Sequence, residues 1–163
     1  MNNTINNHKK TRAFKKFTLN SNQITELLQS IDRSDIYGSR DYALINLIVN
    51  TKLKIAEITN TIKGDIIDCC GFVILWVQQN NAQNKSKKII LSNKISAPIY
   101  EYLKIIKSES DTDPLFASHS KKNFGQPLTA RSISRIVKNR LKDIGITKKF
   151  VNTYCLRNSY YKD

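Results

Sequence analysis

Histidine, cysteine, glycine and acidic residues are all scarce in this 163-residue sequence, with 2, 3 and 5 of the first three and 13 Asp and Glu in total. The cysteines, Cys69, Cys70 and Cys155, are odd in number with two adjacent, which fits neither a disulfide framework nor zinc-ligand spacing. His8 and His119 add too few ligands for a metal centre, so no metal or other cofactor is expected. Long apolar runs are missing too: Ala43–Val49 and Phe72–Val77 fall far short of the roughly 20 residues that cross a bilayer. The N-terminus MNNTINNHKKTRAFKKF has positive charge but no apolar stretch behind it, so it does not read as a secretory signal. Together these absences predict a soluble, cytoplasmic protein with no membrane role.

What remains is ordinary in hydrophobicity and unusual in charge. Hydrophobic residues at 40% and charged residues at 25% are enough for one folded domain with a real core. Against the few acids stand 27 Lys and Arg, a net charge of +14, and such a surface attracts polyanions, nucleic acid first. Ile, Asn and Lys, residues of A+T-rich codons, are heavily used, which points to an A+T-rich bacterial genome or a plasmid or other mobile element as source.

Residues 1–16, with His8, Lys9, Lys10, Arg12, Lys15 and Lys16, lack helical or strand periodicity and read as a flexible basic arm. Asn20 or Ser21 caps a predicted helix whose Ile24, Leu27, Leu28 and Ile31 share one face. Ser39 is placed as the cap of a second, more buried helix through Val49. Ile55, Ile58 and Ile62 continue helical spacing until Gly64 ends the run. From Asp65 the pattern becomes β-rich: Ile66-Ile67, Phe72 to Val77 and Lys88 to Leu91 predict three short antiparallel strands. The polar stretch Gln78 to Lys87 between the last two predicts an exposed hairpin tip carrying Lys85 and Lys87 toward phosphate.

Helical spacing returns at Ile99, Tyr102, Leu103 and Ile106, and again in a helix capped by Thr129 and closed by Gly145. Ile133, Ile136, Val137, Leu141 and Ile144 form the apolar stripe of that last helix. On its other side Arg131, Arg135, Lys138 and Lys142 line up with little acidic relief beyond Asp143. A solvated helix face usually mixes signs, so this stripe favours a phosphate backbone.

Four segments, in order, resemble the catalytic domain of the tyrosine recombinases (phage integrase family). Ser39–Leu44 (SRDYAL) and Thr51–Ile58 (TKLKIAEI) are similar to the family's RDYAL and TGLRISEL segments. Leu128–Ile136 resembles its LT-x-x-S-V-S-R-I helix, and Tyr154–Tyr160 (YCLRNSY) stands where H-x-L-R-H-S-F is expected. The resemblance covers the chain from about Phe17 onward and implies an α+β, mainly helical catalytic-domain fold with a small three-stranded antiparallel sheet. It also implies family chemistry, in which a tyrosine nucleophile cleaves DNA while two arginines, a lysine and His or Trp donors stabilise the phosphate.

This sequence departs from that set. Lys54 stands at the first arginine position and keeps the charge without the planar fork that grips two oxygens. Tyr154 replaces the histidine and donates a hydrogen bond but is no base at neutral pH. Arg157 matches the second arginine. Counting back from Ile89-Ile90-Leu91 places Ala82 at the hairpin lysine, with Lys85 the nearest substitute. The family's nucleophile lies several helical turns beyond the Arg157 position, past Asp163, and Tyr160 and Tyr161 are too close to Arg157 and read as packing residues. The short arm is expected to stand where the family carries its N-terminal DNA-clamping domain.

The expectation is therefore a double-stranded DNA-binding protein with degenerate catalytic positions Lys54, Tyr154 and Arg157 and without strand cleavage. Its backbone contacts would be Lys54, Lys85, Lys87, Arg131, Arg135, Lys138, Lys142 and Arg157. The alternative is an active or relic recombinase, or a relaxase-like strand transferase, whose nucleophile is missing or supplied in trans. A third reading is a regulator that pairs with a full-length recombinase or another element-encoded protein. A monomer or weak dimer is expected.

Overall fold

A computed structural model describes residues 17–78, 86–107, 110–147 and 153–159. The basic arm, the hairpin residue Lys85 and the Tyr160–Tyr161 pair lie outside the described residues. Helix α1 (Ser21–Gln29) starts where the Asn20 side chain accepts the Gln23 N–H at 2.9 Å and the Gln23 side chain accepts the Asn20 N–H at 3.1 Å. Such an N-cap is worth about 1 kcal/mol, and it fixes the phase that buries Ile24 and Leu27.

Helix α2 (Ile36–Thr51) is buried along Ala43, Leu44, Ile45, Leu47, Ile48 and Val49, the all-round apolar pattern of a helix enclosed by others. It begins a turn earlier than the sequence predicts, because its cap is Asp35, whose carboxylate accepts the Gly38 N–H at 2.6 Å. Ser39, the predicted cap, lies buried inside the helix. Gly38 decides this: a Cβ there would meet the Asp32 carbonyl oxygen at 1.7 Å, so only glycine lets the preceding loop press against the first turn.

Helix α3 (Ile55–Thr59) is shorter than the isoleucine spacing suggests. Ile62 instead forms an isolated antiparallel bridge with Pro114, and Gly64 sits in a separate one-turn 3₁₀ helix, Lys63–Asp65. The reason is competition for backbone donors: the Lys63 N–H goes to the Asp113 carbonyl and the Gly64 N–H to the Asp111 carbonyl, both at 2.8 Å. A loop distant in sequence thus satisfies groups a longer helix would have used.

Strands β1 (Ile66–Cys69), β2 (Phe72–Gln78) and β3 (Ser86–Leu91) form one antiparallel sheet in the order β1-β2-β3, as expected. The register pairs Ile66 with Leu75, Leu75 with Ile89 and Val77 with Lys87. Alternation therefore puts Lys87 on the face of buried Leu75, Val77 and Leu91, and Lys88 on the other.

Helix α4 (Asn93–Ile106) packs along α2 and contains Pro98, which has no N–H to give the Lys94 carbonyl. The Asn46 side-chain amide of α2 donates to that carbonyl at 2.8 Å, so the proline gap becomes a link between the two helices. Helix α5 (Ala130–Asp143) is capped by Thr129, as predicted, with the Ser132 N–H donating to its hydroxyl at 3.1 Å. Gly145 and Ile146 close it by donating back to Lys142 and Leu141, each at 2.9 Å. Helix α6 (Thr153–Asn158) buries Cys155 and Leu156 against α2. Ser159 accepts the Leu19 N–H and donates to the Cys155 carbonyl, tying α6 to the start of α1.

Candidate functional site

Three chain segments far apart in sequence deliver cations to one depression of about 400 Å³, lined by Lys52, Lys54, Glu57, Lys87, Arg157 and Asn158. Lys52 ends α2 in the left-handed region at φ 56, which turns the chain sharply into α3. Lys54 is then the residue just before α3, and Glu57 caps that helix by accepting the Lys54 N–H at 2.7 Å. The Glu57 side chain is only 8% exposed, and it meets Lys87 of β3 with Nζ at 3.4 and 3.5 Å from its two oxygens. These are long contacts for an ion pair with a one-third exposed lysine, worth under about 1 kcal/mol. Lys87 therefore stays available to a stronger anion.

Arg157 enters from α6, with its guanidinium 5.2 Å from the centre of the Tyr154 ring. A ring at this distance favours the cation and limits its rotamers. Tyr154 thus supports Arg157 and does not line the depression, although the family pattern places a phosphate donor at its position. Among the described lining residues four are cationic and one is a carboxylate, which makes the depression electropositive.

Lys54, Lys87 and Arg157, all singled out from sequence, are brought together here. Lys87, expected in an exposed hairpin tip, lies within β3 and pairs with Glu57, while Lys85 lies outside the described residues. Lys52, Glu57 and Asn158 escaped the sequence reading. Glu57 had a visible signal: a carboxylate three residues after a helix start is a capping position, and here the cap also supplies the counter-charge.

The α5 stripe stands apart from this depression. Arg131, Arg135, Lys138 and Lys142 are all exposed, as the helical spacing requires. Arg135 and Lys142 border a second depression of about 780 Å³ that also touches Tyr37, Arg40, Asp41 and Arg140, while Arg131 and Lys138 line neither. Beneath it Arg40 Nε and Nη2 donate to Asp41 Oδ1 at 3.1 and 2.8 Å, and Arg140 Nε and Nη2 donate to Oδ2 at 3.2 and 2.9 Å. Arg140 lies four residues after Ile136 and seven after Ile133, on the apolar side of α5, where a cation needs a buried anion. That position was its sequence signal, and the sequence reading missed it.

Beside Arg40, the His119 Nε2 lies 3.0 Å from the Tyr102 hydroxyl, which accepts the Ala117 N–H at 3.2 Å. Burial pushes the Tyr102 hydroxyl up to about 12. Burial, and then the Arg40 charge, hold the His119 imidazole below its ordinary value, so it is neutral in the fold near pH 7. With Arg40 Nη1 donating to the Ala117 carbonyl at 3.3 Å and the Tyr37 hydroxyl to the His119 carbonyl at 2.9 Å, these groups tie α2 and α4 to the loop of residues 117–119.

The comparisons agree with this architecture. The model of the phage integrase family matches residues 18–160. The chain is 27% identical over 147 residues to tyrosine recombinase XerD of Listeria innocua, covering 87% of this chain and 46% of that protein. It is 29% identical over 136 residues to tyrosine recombinase XerC of Caldanaerobacter subterraneus, covering 82% and 35%. The chain spans less than half the length of these curated relatives. In structure it is similar to XerH recombinase in a post-cleavage complex with difH substrate, at TM-score 0.71 and 21% identity over 89% of this chain and 41% of that one. It is also similar to the lambda integrase catalytic core, at TM-score 0.63 and 18% identity over 88% and 80%. No described helix is long and apolar enough to cross a membrane. The chain belongs to the phage integrase family, and its described residues have the fold of a tyrosine recombinase catalytic domain.

Proposed function

We propose that this protein binds double-stranded DNA by seating a backbone phosphate among Lys52, Lys54, Lys87 and Arg157, with the α5 stripe contacting further phosphates. The observation that carries the reading is the convergence of four cations from three chain segments on one depression holding a single carboxylate among its described residues. The matched relatives are tyrosine recombinases, and the XerH structure holds a DNA substrate, which supports the same reading.

Strand cleavage is weak or absent in this reading. Lys54 offers a point charge where the family's arginine forks across two phosphate oxygens, and the Tyr154 ring packs against Arg157 without being among the residues that line the depression. Transition-state charge is then less well compensated than ground-state phosphate. The setting is a plasmid or other mobile element in the cytoplasm. The free protein is a monomer or weak dimer, and a full-length recombinase or other element-encoded protein is a fitting partner.

Duplex affinity measured against salt tests this. Each neutralised phosphate contributes about 0.9 to the slope of log K against log salt, so binding should fall steeply, and a flat response would refute backbone contact. A recombinase reading is favoured by one observation, Lys87 reaching the depression from the hairpin strand beside Glu57. It requires a covalent adduct with a nicked duplex on a denaturing gel, lost in Tyr160→Phe or Tyr161→Phe. Absence of any adduct supports the binding-only reading.

A further inference from the structure

The outer face of the sheet and the β1–β2 turn play no part in the phosphate depression. Strand pairing puts Ile67, Phe72, Ile74, Trp76, Lys88 and Ile90 on that face. Ile67, Phe72, Trp76 and Ile90 are 43%, 59%, 38% and 61% exposed. A contiguous apolar patch of this kind marks an interaction surface. Lys88, opposite Trp76, is its one charged residue. On a chain of net charge +14, this is where two copies can approach with few like charges between them.

At one end of the face Cys70 and Gly71 form a two-residue turn with both φ values positive, 52 and 80, joining the paired residues Cys69 and Phe72. A type I′ hairpin turn favours Asn-Gly, and cysteine at its first position is costly. The turn exposes Cys69 and Cys70 with their sulfurs 3.7 Å apart. A tetrahedral Zn²⁺ with Zn–S bonds of about 2.3 Å has sulfur–sulfur edges of about 3.8 Å. The pair is thus spaced as one edge of a tetrathiolate site. Cys155 is buried elsewhere, and among the described residues no three His, Cys, Asp or Glu side chains gather around a possible cation. One chain supplies half a site.

We propose that Cys69 and Cys70 of two copies together bind one Zn²⁺, closing a two-fold dimer through the apolar outer faces of their sheets. Four thiols release four protons to solvent and the centre carries two negative charges, Zn²⁺ with four thiolates. That charge offsets repulsion between the cationic copies. The sequence argument against a metal holds for one chain, and the second copy completes the ligand set.

Sedimentation of the full chain under a phosphine reductant, titrated with Zn²⁺ alone, tests the inference. The expected result is a dimer holding one Zn²⁺ per two chains, reversed by a chelator, with Co²⁺ in place of Zn²⁺ giving thiolate charge-transfer absorption. Cys69→Ser and Cys70→Ser should each abolish the metal-dependent dimer, and Ile90→Ser should weaken it about tenfold. Duplex binding by each metal-free variant should match that of the metal-free parent, which also verifies folding. A monomer at saturating Zn²⁺, one Zn²⁺ per chain, or a dimer that survives chelation or the double serine change would overturn it.

Discussion

Two cation-rich regions of this protein differ in what their charges meet. At the Asp41 cluster two guanidiniums share one buried carboxylate, each through two hydrogen bonds, and Arg140 also lies 3.6 Å from Asp143, so both arginines are engaged by the protein's own carboxylates. In the depression beside α3, Lys52, Lys54, Lys87 and Arg157 line the same wall as one carboxylate among the described residues, Glu57, and the Lys87–Glu57 ion pair is long and partly solvated. The difference teaches that the function of an arginine is set by the carboxylates within its reach and their burial. Arg40 and Arg140 spend their hydrogen bonds on Asp41 and join α2 to α5, whereas Lys52, Lys54, Lys87 and Arg157 line an open depression.

Removing Asp41 should break this contrast most severely. Asp41→Asn leaves Arg40 buried and Arg140 mostly buried without their shared anion, and such losses cost about 3–5 kcal/mol. Chemical denaturation should register that loss. Arg157→Ala, at the other region, should alter stability by about 1 kcal/mol or less. It should lower duplex affinity about tenfold at physiological salt and reduce the salt slope by about one. Glu57→Gln should act in the opposite direction, tightening duplex binding a few-fold by freeing Lys87, and filter binding across a salt series would detect both changes.

The α5 stripe sharpens the comparison further. Changing Arg131, Arg135, Lys138 and Lys142 together to Gln should weaken binding to every duplex alike, because phosphate contacts carry no sequence information. Competition between unrelated duplexes checks this, and unchanged affinity would make the stripe plain solvated surface. The smallest effect belongs to His119. Its folded pKa lies below the ordinary 6.5, so the unfolded chain binds the proton more readily and stability is lost as pH falls below about 6.5. His119→Gln should flatten that part of a melting-temperature profile between pH 7.5 and 5.5.

Much of the fold was legible because local signals are strong where period and caps agree. The β1–β3 sheet, the Thr129 cap and the apolar stripe of α5 follow from alternation, capping chemistry and 3.6-residue spacing. The start of α2 was not legible. Asp35 and Ser39 are equivalent caps by local preference, and only the close approach of the Asp32 carbonyl to Gly38 selects the first. The end of α3 was equally hidden, since Asp111 and Asp113 capture its backbone donors from nearly fifty residues away. At the site, Lys54 and Arg157 were readable by resemblance. Lys87 took its place through its position in β3, and Glu57 and Arg140 through partners that no linear spacing reveals.

The sequence by itself determined the charge, the order of elements and the faces that must be buried, because these depend on residue type and short-range period. Only the tertiary structure decided which cations pair with buried carboxylates and which line the open depression. Pairing of charges depends on distances between residues as far apart as Lys54 and Arg157, and those distances exist only after α2, the sheet and α6 have packed together.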